Sequence, residues 1–246
     1  MSPLLLLSIL LQVACGVHVV RTGRPMYWLF ILFIGSFIAV AVYVLAEVVP
    51  DLGNNPSARK AMRSARSRID PTREKRRAAA RLDLADTAEN RLKLASESFE
   101  TGDYEQAETL YRSALKGLYQ TDPDLMLGLA KAQFAQGKAA QTKETLDALI
   151  AANPTYRSSD GHLLFARALE AMGDTKAALF EYEALAQGYP GEEGRARYAL
   201  LLKRNGQRDA ARAVFADILK RSAAAPGYYR REQREWLDLA KREARA

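Results

Sequence analysis

The sequence predicts an all-α protein in which a two-helix transmembrane hairpin is followed by an α-solenoid of about four helix pairs and a C-terminal capping helix. Three observations support this fold class. Two long apolar runs fill most of residues 1–50, and a repeat of roughly 35 residues organises the chain from Asp86 onward. Past that point apolar residues recur at helical spacing, with none of the alternation typical of strands.

The two apolar runs are Pro3–Val20 and Met26–Val49. A membrane-spanning helix needs about 20 predominantly apolar residues, and each run is close to that length or longer. The segment between the runs, Arg21–Pro25, includes a glycine and a proline and predicts a tight turn. We therefore expect a transmembrane hairpin over residues 1–50. A cleaved signal peptide followed by one span remains an alternative, although no basic residue precedes the first run.

The hairpin resembles the short N-terminal membrane domain of bacterial cardiolipin synthases and related phospholipase D-like proteins. The shared residues are Arg21, Arg24, Pro25 and Trp28 around the turn, with Gly35 and Tyr43 in the second run. The catalytic His-x-Lys pattern of that superfamily is absent, because neither His18 nor His162 has a lysine two residues later. The resemblance therefore implies a bacterial inner-membrane anchor and no lipid chemistry.

We predict a basic juxtamembrane linker over residues 51–85, partly helical and broken at Asp70-Pro71. Between Leu52 and Arg81, ten basic residues stand against Asp70 and Glu74, a net charge of +8. This excess places the C-terminal part in the cytoplasm and favours contact with anionic lipid. No aromatic residue is interleaved for base stacking, so we predict no nucleic-acid partner. The predicted lipid-facing residues are Arg59, Lys60, Arg63, Arg66, Arg68, Arg73, Lys75, Arg76 and Arg77.

A repeat occupies residues 86–226. Its glycines recur at a nearly constant spacing, at Gly102, Gly137, Gly173 and Gly206. An alanine stands seven residues before each of them: Ala95, Ala130, Ala166 and Ala199. A glycine in the left-handed conformation ends a helix without a steric penalty, and a small residue lets two helices approach closely. The period therefore predicts pairs of helices, with the glycine ending the first helix of each pair.

These repeats resemble the tetratricopeptide repeat family, best at Gly102–Ala107 and Gly173–Ala178. Thr142 in the second unit, and the missing proline after the first, depart from its pattern. The resemblance implies that the first helices of successive pairs line a groove that holds a protein or peptide, with residues 227–246 as the capping helix. The groove positions it implies are Leu92, Phe99, Leu127, Lys131, Phe134, Leu163, Arg167, Leu200, Lys203 and Arg204, together with Ser96.

No pattern typical of catalysis, of a metal site or of a cofactor site occurs. The chain has one cysteine and two histidines, and no glycine-rich phosphate loop with a following lysine. We expect a non-enzymatic scaffold anchored in the bacterial inner membrane, with its repeats on the cytoplasmic face. One alternative is an accessory or sensor protein of phospholipid metabolism or envelope stress that acts through the hairpin and linker. A second alternative is a periplasmic assembly factor.

Overall fold

A computed structural model describes residues 3–23, 25–34, 36–48 and 70–244. All of the regular structure within these ranges is helical. The chain divides into two compact units, residues 1–73 and 74–246.

The N-terminal unit contains three helices: α1 (Pro3–Thr22), α2 (Tyr27–Ile34) and α3 (Ser36–Tyr43). A π-helical turn, Val44–Val48, follows α3. The three helices pack against one another around a small cluster that includes Val19, Leu32 and Tyr43. The first apolar run is therefore helical, and the turn before α2 lies where the sequence predicted it.

The second apolar run differs from the prediction, because its described parts fold back on each other. The rings of Trp28 and Tyr43 lie 5.2 Å apart, and the Trp28 indole donates a hydrogen bond of 3.0 Å to the Glu47 carboxylate. In one straight helix, residues 28 and 43 would be about 22 Å apart. The prediction of a single uninterrupted span over Met26–Val49 is therefore wrong.

The physical reason is that the polar ends of these aromatic side chains find partners within the unit. The Tyr43 hydroxyl lies 2.8 Å from Nδ1 of His18 on α1, in addition to the contact between Trp28 and Glu47. Buried polar groups need such partners, and short helices that fold back can supply them. In the described part of the chain, no helix combines the length and the apolar character needed to cross a membrane.

The last part of the predicted linker forms a helix, α4 (Arg73–Leu84), directly after Asp70-Pro71. Ala78 of α4 is buried, and Lys75 forms an ion pair of 2.7 Å with Asp103 in the repeats. The Asn90 side chain donates to the carbonyl of Arg81 at 3.3 Å. Part of the predicted linker is thus packed against the first repeat instead of extending freely.

These contacts bear on the predicted lipid-facing residues. Lys75 pairs with Asp103, and Arg77 pairs with Glu74 at 3.0 Å. Arg73 is half-buried and Arg76 is exposed. The other five predicted residues lie outside the described residues: Arg59, Lys60, Arg63, Arg66 and Arg68.

Four helix pairs make up the repeat array in the described residues. The bounds are α5 (Ala88–Glu100) and α6 (Tyr104–Ala114), α7 (Pro123–Ala135) and α8 (Ala139–Ala152), α9 (Ser159–Ala171) and α10 (Thr175–Gly188), and α11 (Glu193–Arg204) and α12 (Arg208–Ala224). A 3₁₀ turn, Gly117–Tyr119, joins the first pair to the second. This turn lies where the first repeat lacks the proline that follows α8 and α10.

The repeat glycines behave as predicted. Gly102, Gly137, Gly173 and Gly206 follow the first helix of each pair with φ between 77° and 85°. This left-handed conformation closes the helix end through a hydrogen bond such as that from the Asp103 amide to the Ser98 carbonyl, 2.9 Å long. The prediction that a glycine ends the first helix of each pair is confirmed.

Small side chains lie where the helices of a pair approach each other. Ala95, Ala130, Ala166 and Ala199 have no solvent exposure. The large residues that stand nine positions after each repeat glycine are also buried: Tyr111, Leu146, Tyr182 and Phe215. The array is therefore held together by one repeated packing arrangement.

One further small residue is essential to the packing between the first and second pairs. A Cβ atom added to Gly128 on α7 would lie 2.4 Å from Cε1 of Tyr111 on α6. Tyr111 is 5% exposed and its hydroxyl lies 3.3 Å from that of Ser96, so the ring has little freedom to move away.

A charged cluster also joins the first and second pairs. Oε1 of Glu108 on α6 accepts from Arg112, and its Oε2 accepts from Gln136 and Lys138 of the next pair, each at 2.8 Å. Burial raises the pKa of Glu108, but the hydrogen bonds from Lys138, Arg112 and Gln136 outweigh burial and lower the pKa to about 2.

The C-terminal cap consists of two helices, α13 (Gly227–Glu232) and α14 (Arg234–Glu243). The predicted single capping helix is interrupted at Gln233, whose side chain accepts a hydrogen bond of 2.9 Å from the amide of Glu192. Leu237 and Ala240 of α14 complete the apolar core of the last pair. The cap therefore covers the end of the array as expected for a solenoid. It differs from the prediction in the break at Gln233, where the side chain contacts Glu192.

We predict that Gly128→Ala lowers the free energy of unfolding by about 1–3 kcal/mol, because the added methyl group overpacks the contact with Tyr111. The matched control is Gly188→Ala at the end of α10, where an added Cβ would meet no atom within 4 Å. Urea unfolding followed by circular dichroism measures both variants. Equal stability of the two variants would contradict the proposed close approach.

We predict that Glu108 makes the stability of the protein pH-dependent at acidic pH. The pKa of Glu108 is lowered in the folded state, to about 2 from 4.5. Its contribution is therefore fully present above pH 4.5 and is lost as the pH falls toward 2. Since one pKa unit corresponds to about 1.4 kcal/mol, the lowered pKa corresponds to a stabilisation on the order of 3 kcal/mol.

The measurement compares thermal unfolding of the wild type and Glu108→Gln from pH 7 to pH 2.5. The wild type should be more stable at pH 7, and the difference should shrink steadily below pH 4.5. Glu105→Gln, an exposed change on the same helix, is the control and should leave the pH dependence unchanged. A pH-independent difference between the wild type and Glu108→Gln would show that the charge of Glu108 is not responsible.

Candidate interaction grooves

The first helices of the four pairs line a groove of about 570 Å³, here called the inner groove. Five of the residues implied by the repeat resemblance lie in it: Phe99, Lys131, Phe134, Leu163 and Arg167. The other lining residues are Ala135, Asp160, Leu164, Tyr189 and Glu193. The resemblance therefore implied half of the residues that line this groove, and the other half were not predicted.

The other six implied residues lie elsewhere, and the hydroxyl of one of them, Ser96, lies 3.3 Å from that of Tyr111. Leu92 packs against the core of the first pair, and Leu200 packs against that of the last. Leu127 is 8% exposed, and its Cδ1 would lie 3.5 Å from a Cβ at Gly161, so it belongs to the core. Lys203 pairs with Glu243 and Arg204 pairs with Glu170, each at 2.6 Å.

Arg167 is the chemically distinctive residue of the inner groove. Its guanidinium lies over the Phe134 ring, 4.7 Å from the ring centroid. Among the residues that the structure describes, no carboxylate forms an ion pair with it. Burial, and then the neighbouring charge of Arg197, lowers the pKa of Arg167. A half-buried guanidinium with these surroundings favours an anionic ligand.

The neighbouring charges in the inner groove are compensated. Lys131 lies 3.5 Å from Asp160, and Arg197 forms an ion pair of 2.7 Å with Glu193. Four of the groove residues that the resemblance implies are basic: Lys131, Arg167, Lys203 and Arg204. The structure pairs Lys131, Lys203 and Arg204 with carboxylates. Arg167 is therefore the point where the negative charge of a ligand is best accommodated.

A second groove, here called the outer groove, lies between α8 and α10 and over the beginning of α9, with a volume of about 450 Å³. Its apolar wall includes Leu146, Leu149, Ile150 and Phe165. Ile150 is 60% exposed and adds apolar surface to this wall. This groove was not predicted; the one available signal was an isoleucine on the outward face of a second helix.

Polar side chains surround the outer groove. Nε2 of His162 lies 2.7 Å from the Glu181 carboxylate, so the His162 side chain has a polar partner on α10. Arg157 donates to the carbonyls of Pro154 and Tyr156 at 2.7 and 3.1 Å, and within the described ranges it has no carboxylate partner. No group of three His, Cys, Asp or Glu side chains in those ranges could hold a metal ion.

The two grooves meet at Tyr189, which lines both of them. Tyr189 directly follows α10 and precedes Pro190, so its position is fixed by the end of a helix. The first turn of α9 contributes Asp160 to the inner groove and Gly161 to the outer groove.

Comparison with known proteins agrees with this architecture. Residues 98–168 match the family model for the tetratricopeptide repeat. The match runs from the end of α5 through α6 and the second pair to most of α9, and it does not reach the two N-terminal apolar runs. The resemblance of those runs to cardiolipin synthases therefore has no support from the comparisons. No curated protein sequence matches the chain.

Solved structures show the same fold. A thermophilic TPR protein of Thermus thermophilus has a TM-score of 0.51 and 19% identity, covering 68% of this chain and 86% of its own. MamA has a TM-score of 0.55 and 21% identity, covering 65% of this chain and 93% of its own.

YrrB, a TPR protein with an unusual peptide-binding site, has a TM-score of 0.50 and 18% identity, covering 68% of this chain and 91% of its own. At these identities the likeness shows the fold alone. The chain therefore carries an all-α array of tetratricopeptide-type repeats, and residues 98–168 carry the sequence pattern of that family.

Proposed function

We propose that the repeat array is a non-enzymatic scaffold that binds a segment of a partner protein in the inner groove. The observation that carries this proposal is Arg167, half-buried over the Phe134 ring without an ion-pair partner in the described residues. The fold supports it, because helical repeat proteins present extended surfaces for binding. YrrB shares the fold and is a TPR protein with a peptide-binding site.

The chemistry of the groove indicates what the partner segment contains. A carboxylate bound to Arg167 would form a charge-assisted hydrogen bond in a partly desolvated site, which is stronger than one between neutral groups. The rings of Phe99 and Phe134 line the same groove and offer apolar surface beside this charge. We therefore propose a partner segment with an acidic side chain next to apolar ones.

A photocrosslinking experiment in cells tests this function. A photoreactive amino acid at Ala135, an exposed residue that lines the inner groove, should form covalent adducts with the partner. Adding Arg167→Glu should reduce the adducts at least tenfold, since it places a like charge opposite the acidic ligand. Thermal unfolding checks that the variant is folded.

Two controls make the result specific. The same photoreactive residue at Ala223, which is exposed on α12 and lies outside both grooves, should give no partner adducts. Lys220→Glu, an exposed charge reversal on α12, should leave the Ala135 adducts unchanged. If Arg167→Glu leaves the Ala135 adducts at their wild-type level, the proposed role of the inner groove is wrong.

We also propose that the N-terminal unit attaches the chain to the inner membrane of a bacterium, with the repeats on the cytoplasmic face. Large apolar side chains are exposed on this unit: Phe30 at 71%, Phe33 at 89%, Ile34 at 81% and Ile38 at 78%. An exposed apolar surface of this kind is typical of a protein or membrane interaction site. The adjoining sequence has a net charge of +8 between Leu52 and Arg81, which favours contact with an anionic bilayer. The proposed attachment is insertion of this apolar surface, without two spanning helices.

Vesicle flotation of the full chain tests the attachment. The chain should float with vesicles rich in phosphatidylglycerol and much less with vesicles of pure phosphatidylcholine. Changing Arg59, Lys60 and Arg63 to glutamine should weaken binding by roughly a hundredfold, at about 1 kcal/mol per basic residue. Arg208, Arg230 and Arg231 changed to glutamine in the repeat unit form the matched control. Equal flotation of both triple variants would contradict the proposed role of the basic segment.

Thiol labelling tests the side of the membrane. A cysteine at exposed Ala223, in a chain with Cys15→Ser, should resist a membrane-impermeant reagent in intact spheroplasts and react after lysis. Labelling before lysis would place the repeats outside the cytoplasm and overturn the proposed orientation.

A further inference from the structure

The inner and outer grooves approach each other at one point of the surface. Tyr189 lines both, and α9 forms part of both, with Leu163 facing the inner groove and Phe165 facing the outer groove. Along the first turn of α9, Asp160 borders one groove and Gly161 borders the other. Tyr189 is therefore the residue at which a segment bound in the inner groove could continue into the outer groove.

Each groove also presents a basic side chain that lacks a carboxylate partner among the described residues. In the inner groove this residue is Arg167, stacked on Phe134. In the outer groove it is Arg157, which donates to the backbone carbonyls of Pro154 and Tyr156. The remaining cation of the inner groove, Lys131, is paired with Asp160. The charge pattern thus repeats on both sides of Tyr189.

The outer groove adds an apolar cavity to this pattern. Its volume of about 450 Å³ exceeds that of a large apolar side chain, and Leu146, Leu149, Ile150 and Phe165 line it. Ile150 remains 60% exposed in the absence of an occupant. Covering it with a leucine or phenylalanine from a partner would remove apolar surface from water on both molecules.

We infer that the two grooves bind one continuous partner segment that bends around Tyr189. The segment carries an acidic side chain for each of Arg157 and Arg167, and a large apolar side chain for the outer groove. This inference rests on the proposed function of the inner groove and names the chemistry of its partner.

The experiment selects peptides and then measures where they bind. A phage-displayed library of random linear peptides is selected on the immobilised full-length chain in detergent. The selected peptides should share two acidic positions, with a leucine or phenylalanine beside one of them. Fluorescence anisotropy then measures the affinity of the most enriched synthetic peptide for the wild type and for each variant.

Three variants are compared: Arg157→Glu and Ile150→Glu in the outer groove, and Arg167→Glu in the inner groove. Each should weaken binding of the enriched peptide by about tenfold or more. Shortening the peptide at the end that carries the outer-groove residues should remove its sensitivity to the first two variants and keep its sensitivity to Arg167→Glu. Phe180→Glu matches Ile150→Glu, since Phe180 is 72% exposed and lines neither groove. Lys220→Glu matches the arginine reversals, and neither control should change the affinity.

The outcomes separate the two proposals. If Arg167→Glu weakens binding while Arg157→Glu and Ile150→Glu bind as the wild type does, the continuous surface is wrong and the inner-groove function stands. If Arg167→Glu also binds as the wild type does, or if the chain enriches no peptide, the inner-groove function fails and this inference fails with it.

Discussion

The structure depends on the close approach of two helices within each pair, which small side chains make possible. Ala95, Ala130, Ala166 and Ala199 are fully buried at equivalent points of the four pairs. Because each pair buries its apolar surface only against its neighbours, this one constraint propagates through the whole array. The same constraint determines Gly128, which lies against the Tyr111 ring between the first two pairs.

Polar contacts add specificity to this packing at the boundaries between pairs. Glu108 connects the first pair to Gln136 and Lys138 of the second, and Tyr182 donates to Glu170, which also binds Arg204 of the fourth pair. Lys131 and Lys203 pair in the same manner with Asp160 and Glu243. Arg167 and Arg157 line the two grooves, and within the described residues neither has a carboxylate partner. Their distribution across two adjoining grooves is the basis for assigning a binding surface.

Sequence patterns predicted the structure correctly at positions where local backbone geometry requires one residue type. A glycine after each first helix adopts the left-handed conformation, and φ at all four positions agrees with that requirement. Sequence patterns predicted the helix boundaries wrongly where contacts between distant residues decide them. The long second apolar run predicts one continuous helix, but the Trp28–Glu47 hydrogen bond requires the chain to fold back. The break in the cap at Gln233 likewise serves a contact with Glu192, which lies far earlier in the sequence.

Patterns in the sequence were sufficient to predict the helical class and the repeat period, because these follow from the period of the helix and from the φ that glycine permits, which are local properties. The groove positions Phe99, Lys131, Phe134, Leu163 and Arg167 were implied by the resemblance to a repeat family, and they line one groove. Only the tertiary structure decided which cations are neutralised, since Lys203 and Arg204 find their carboxylates on other helices, at Glu243 and Glu170. It also decided that Tyr189 joins two grooves, because that depends on the distances between helices rather than on the pattern within any one of them.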